Sequence, residues 1–67
     1  MAVFKKIEVV GTSKESISDA VRVAVAEAAK SVRHTSWFEV VEQRGAIKDG
    51  KVAEFQVTVR IGFKVEH

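Results

Sequence analysis

The chain has 67 residues, 46% hydrophobic, 30% charged and 7% aromatic, with no cysteine, no proline and a net charge of +2. That length allows one domain, residues 1–67, and the missing cysteines exclude a disulfide framework, a zinc knuckle and a thiol nucleophile. No apolar run approaches the roughly 20 residues that span a bilayer, and Met1-Ala2-Val3-Phe4-Lys5-Lys6 lacks the continuous apolar stretch of a secretory leader, so a cytoplasmic setting is expected.

The first predicted element is a strand over Val3 to Val10, rich in β-branched residues and ending at Gly11. Gly11-Thr12-Ser13-Lys14-Glu15-Ser16 then reads as a turn with competing helix starts: Thr12 with Glu15, or Ser16 with Asp19, matches a capping box. Ser16 is preferred because the apolar series begins immediately after it. That series is Ile17, Ala20, Val21, Ala24, Val25, Ala28, Ala29 and Val32, in steps of three and four that form one stripe of a helix. Its alanines are short, so the helix can lie close to whatever it covers. About eighteen residues make it roughly 27 Å long.

From Trp37 the period changes to two. Trp37 to Lys48 reads as a second strand, and Phe55, Val57, Val59, Ile61, Phe63 and Val65 form the apolar face of a third. Asp49-Gly50 between them is the signature of a two-residue type I′ turn, which needs positive φ at both positions. The expected fold is α+β, ordered β-α-β-β, with one helix on one face of a three-stranded antiparallel sheet. A tight turn pairs Lys48 with Lys51, and an unbroken ladder then sets Trp37 opposite Gly62, Glu39 opposite Arg60, Val41 opposite Thr58 and Gln43 opposite Gln56. Cross-strand partners share a face. Trp37, Gln56 and Arg60 therefore project away from the helix, whereas Phe38 and Val40 join Ile61 and Val59 beneath it. Gly62 leaves room beside the indole. The hairpin, roughly 40 Å long, overhangs its helix, so that Arg44, Gly45, Ala46 and Ile47 have nothing of their own chain to rest on.

Size sharpens these observations. Below about 70–80 residues a core rarely supplies more than about 3–5 kcal/mol. Disulfides are impossible here, and the only imidazoles, His34 and His67, lie too far apart in sequence to suggest a metal site. Self-association is the expected source of further stability.

Two uses are open for Trp37. Its indole can plug a contact between subunits, or it can serve as a flat, electron-rich platform for an electron-poor conjugated ring, with a symmetry axis bringing two platforms face to face. Gln56 is either a solvent-facing amide or a paired donor and acceptor for the edge of a heterocycle. Arg44, Lys48, Lys51 and Lys64 are solubilising charges or cations available to a phosphate-bearing ligand, for which Arg44 offers a fork of N–H donors. Glu39 and Arg60 are expected to form a cross-strand ion pair. His34 sits at the helix end, where a cation suits the dipole, and needs no ligand role; His67 is expected to be mobile. No arrangement of His, carboxylate and Ser supports catalysis, and Gly11-Thr12-Ser13 is too poor in glycine for a phosphate loop. Bases alternate with acids, which speaks against a nucleic-acid partner, and no segment calls for a membrane.

Val10-Gly11-Thr12-Ser13, Trp37-Phe38-Glu39-Val40, Arg44-Gly45, Phe55-Gln56-Val57-Thr58 and Gly62-Phe63-Lys64-Val65-Glu66 together resemble the dodecins, small flavin-binding proteins of bacteria and archaea. The resemblance runs from about Val3 to Glu66. It implies a sheet partly wrapped around the helix and assembly into a hollow homododecamer. It also implies flavins bound in pairs between symmetry-related tryptophans, a role that falls on Trp37, with Gln56 at the polar edge of the isoalloxazine and Arg44 near the ligand tail. FMN is the implied cofactor, riboflavin or FAD being alternatives, with coenzyme A as a further ligand elsewhere on the shell. Lys64 stands where many bacterial relatives have arginine, and Ala46 replaces an acidic residue of archaeal members. The implied function is flavin storage or sequestration without turnover. The alternative is a purely structural shell or protein-interaction module without a small-molecule ligand.

Overall fold

Ser16 and the stripe that follows it organise the subunit. In the computed structural model, which describes residues 1–66, the elements are β1 (Phe4–Ser13), α1 (Ile17–Ser31), β2 (Thr35–Lys48) and β3 (Lys51–Lys64). The expected β-α-β-β order is therefore present. His67 lies outside the described residues. β1 and β2 both run antiparallel to β3 and flank it, giving the order β1-β3-β2.

β1 does not stop at Gly11. Gly11, Thr12 and Ser13 pair with Val57, Gln56 and Phe55, because β3 is long enough to offer them partners. Ser16 caps the helix by accepting the Asp19 N–H at 3.0 Å. The reciprocal half of the capping box is absent: the Asp19 carboxylate instead accepts the hydroxyl of buried Ser13 at 2.7 Å, and Ser13 Oγ accepts the N–H of Glu15 at 2.9 Å. The cap is thus tied to the end of β1. α1 has 15 residues, shorter than its apolar pattern, because Val32 turns extended and His34 adopts a left-handed φ of 61° that redirects the chain.

Ala20, Ala24 and Ala28 are buried against Val57, Val59 and Ile61, with Ile7, Val9, Ile17, Val21 and Val25 packed around them. A Cβ placed on Gly11 would collide with the Ala20 carbonyl oxygen and the Ala24 methyl. The short side chains and the glycine therefore set how closely helix and sheet approach. α1 rests on β1 and β3 and barely touches β2. This corrects the expectation for two residues. Phe38 and Val40 pair with Ile61 and Val59, yet they are 51% and 42% exposed, because the helix stops short of their strand. Ala29 likewise faces solvent, so the covered stripe is narrower than its pattern.

Asp49 and Gly50 have φ of 54° and 73°, as a type I′ turn requires. The ladder behind the turn is not unbroken. β3 carries one extra residue, Ala53, between the pairs Ile47–Val52 and Ala46–Glu54, and β2 carries one, Val41, between Glu42–Thr58 and Val40–Val59. These two irregularities cancel, and a third, at Ser36, lies beyond Trp37. Trp37 still faces Gly62 and Glu39 still faces Arg60, but between the bulges Glu42 faces Thr58 and Arg44 faces Gln56. The expected pairs Val41–Thr58 and Gln43–Gln56 do not form. The subunit measures 51 × 19 × 14 Å, and a helix of about 22 Å leaves Ile47 and Val52 at the tip 77% and 63% exposed.

Candidate functional site

Alternation along β3 separates two faces. Val57, Val59 and Ile61 lie under α1, so Gln56, Thr58, Arg60 and Gly62 point the other way. Trp37 shares that outer face: a Cβ added to Gly62 would collide with three atoms of the six-membered ring of its indole. The room expected beside the ring is therefore filled by the ring itself, which lies across the glycine. Phe4 packs against it with centroids 5.3 Å apart and planes tilted by 59°, leaving the indole 37% exposed.

The indole edge is held as well. Trp37 Nε1 donates to Glu39 Oε2 at 3.1 Å, and Lys6 Nζ lies 2.6 Å from the same oxygen. Lys6 pairs with Gly62 in the β1–β3 ladder, so no side chain on β3 stands between the ammonium and Glu39 on β2. The Lys6 ammonium holds the Glu39 carboxyl below its ordinary value of 4.5, helped next by the Trp37 N–H and least by the more distant Arg60 charge, with desolvation opposing them. Arg60 does not make the ion pair expected with Glu39. Its Nε donates to Glu8 Oε1 on β1 at 2.9 Å instead.

Gln56 and Arg44 form a second cluster. They face one another across the β2–β3 ladder, and Gln56 Nε2 donates to Glu54 Oε1 at 2.9 Å. Gln56 and Gly62 are six positions apart on β3, about 20 Å along the strand. One subunit therefore brings Arg44 to Gln56, but neither of them to Trp37. Lys48 and Lys51 face each other at the turn, whereas Lys64 stands at the opposite end of β3 opposite Phe4. His34 Nε2 lies 2.6 Å from Glu66 Oε1. Sequence reasoning misses Glu54 and Phe4, and it leaves Lys5 and Lys6 only as cations of open role near a ligand tail, with no link from Lys6 to Glu39. For Lys6 and Phe4 the signal is the register of β1, which no tight turn fixes; for Glu54 it is the i, i+2 spacing to Gln56 on one face of β3.

The whole chain can be placed among known proteins. The family model described as Dodecin matches residues 3–66. The chain belongs to the dodecin family. Dodecin from Thermus thermophilus is 48% identical over 64 residues, spanning 96% of this chain and 93% of the relative. The structure of dodecin from Streptomyces coelicolor superposes with a TM-score of 0.94 at 44% identity, covering 98% of this chain and 94% of that one. Dodecin from Streptomyces davaonensis gives a TM-score of 0.94 at 36% identity, with 98% and 97% coverage. The expected family and the β-α-β-β dodecin fold are thus both found.

Proposed function

We propose that this dodecin binds and stores a flavin, FMN or riboflavin with FAD as an alternative, by stacking its ring system against the Trp37 indoles of symmetry-related copies in a homododecamer. One observation carries the reading: the single tryptophan lies on the sheet face that its own helix leaves uncovered, across Gly62 and still partly exposed. A large flat aromatic held open in this way suits a flat, electron-poor partner on the other side. A flavin supplies that ring, and a stacked indole can donate an electron to its excited form, which quenches emission and photochemistry. No turnover is required, and the protein is read as a binder, not an enzyme.

Because Gln56 and Trp37 are about 20 Å apart along β3, the reading takes them from different copies around one ligand. Gln56 offers an amide donor and acceptor to the polar edge of the ring, its donor now resting on Glu54. Arg44, facing Gln56, is the cation for a phosphate tail. Coenzyme A is proposed as a second ligand elsewhere on the shell. Exposed Phe38, Val40, Ile47 and Val52 favour assembly whether or not a ligand binds, which keeps a ligand-free shell or interaction module as the second reading.

Titration of the purified protein with FMN and with riboflavin, followed by flavin emission, separates the readings. Quenching supports storage, unchanged emission supports the bare shell, and bleaching driven by NADH would indicate a reductase. Trp37→Ala is expected to abolish binding and quenching while the fold persists; unchanged affinity removes the stacking role. Gln56→Ala is expected to weaken binding by about 1–3 kcal/mol, the scale of a lost buried hydrogen bond.

A further inference from the structure

An indole lying across a glycine meets no side chain beneath it that would interlock with the ring and fix the direction of its edge. Phe4 packs on one side of the ring, Gly62 lies beneath it, and its single polar atom, Nε1, can anchor one edge. That atom donates to Glu39 Oε2 at 3.1 Å, and the carboxylate is itself pinned by Lys6 Nζ at 2.6 Å from the far edge strand. The chain of contacts runs from β1 over the bare Gly62 to β2, so three strands fix the direction of one ring edge.

We infer that Glu39 is a positioning residue for the ligand platform: with Lys6 it clamps the Trp37 indole in the orientation that a stacked ring requires. The inference rests on the reading of Trp37 as that platform. A hydrogen bond to a charged acceptor is stronger and more directional than one to a neutral group, and a ring already held in its binding orientation loses less freedom when a ligand stacks on it. The charges facing Glu39 are consistent with a carboxylate at neutral pH. Lys6 on β1 touches it, Arg60 on β3 stands opposite, and Glu8 on β1, the nearby acid, is engaged by Arg60.

The test uses the full-length protein and two readouts. The first is the emission of its single tryptophan between pH 3 and 7 with no flavin present. The unmodified protein is expected to titrate with a midpoint below the ordinary 4.5 of a glutamate. Glu39→Gln, which keeps an acceptor oxygen but no charge, is expected to lose that titration, and Lys6→Met to move its midpoint upward. The second readout is affinity for riboflavin, which has no phosphate for Lys6 to attract. Glu39→Ala is expected to weaken it about tenfold, and Glu39→Gln by less than about threefold. An emission profile that is the same in Glu39→Gln as in the unmodified protein overturns the contact. Riboflavin affinity unchanged in Glu39→Ala overturns the positioning role. If Trp37→Ala also binds riboflavin normally, the stacking reading has failed, whereas the flavin-free profile still decides whether Glu39 holds the ring.

Discussion

At Gly62 the missing Cβ decides where the indole lies. A methyl there would clash with the Trp37 ring, so Gly62→Ala is expected to swing the indole off the sheet. Tryptophan emission should shift to the red, and riboflavin affinity should fall by about tenfold, the order of one lost aromatic contact. Glu39 adds a pH dependence whose sign follows from its partners. Its carboxyl is held below 4.5 in the folded chain by Lys6 first and the Trp37 N–H second. The resulting stability is present above the unfolded value and is lost as pH falls through the folded one. Unfolding curves of unmodified and Glu39→Gln protein should therefore differ by a constant amount above about pH 5 and converge below 4.5. The pairing of Trp37 with Gly62, expected from the Asp49-Gly50 turn through an unbroken ladder, holds because the bulges at Ala53 and Val41 cancel. The partners of Glu39 were not legible, because Lys6 reaches it only through the register of β1, which α1 separates in the chain from the hairpin that β1 pairs with.

At the scale of elements, the contact between α1 and β1 is set by small residues. Gly11→Ala would drive a methyl into the Ala20 carbonyl and Ala24, and is expected to cost about 1–3 kcal/mol by overpacking, read from denaturant unfolding. Ser16→Ala removes the acceptor for the Asp19 N–H and should cost about 1 kcal/mol in the same assay. Helix periodicity and the cap are local properties, which is why both could be read along the chain. The bulges at Val41 and Ala53 could not. An extra residue leaves no mark in the alternation of β2, where Glu39-Val40-Val41-Glu42 fits either register, and only the paired ladder reveals it. Their effect on the site is direct, since they set Arg44 rather than Gln43 opposite Gln56.

Over the whole molecule, the exposed apolar side chains dominate. Phe38 and Val40 on β2 and Ile47 and Val52 at the tip lie beyond the reach of α1, and a chain this small has few other sources of stability. Phe38→Glu is expected to break the proposed dodecamer into smaller species. Sedimentation should then fall from a particle near twelve times 7.4 kDa, with a loss of thermal stability in parallel. Riboflavin quenching should be lost together with the particle, since the proposed site draws Trp37 and Gln56 from different copies. The overhanging hairpin was legible as a mismatch between helix and strand lengths. The exposure of Phe38 and Val40 was not, because alternation reports which face a side chain occupies and not whether a helix lies over it.

The amino-acid sequence by itself determined the element order, the helix stripe and its Ser16 cap, and the type I′ turn. Each of these depends on periods of 2 or 3.6 residues, or on the conformational demands of two turn residues, and so acts over a few positions of the chain. The tertiary structure alone decided the Lys6–Glu39–Trp37 clamp, the pairing of Arg60 with Glu8, the facing of Arg44 and Gln56, and the bare inner surface of β2. These depend on the register of β1, on two cancelling bulges and on where α1 settles across the sheet, all of which are fixed by contacts between residues far apart in the chain.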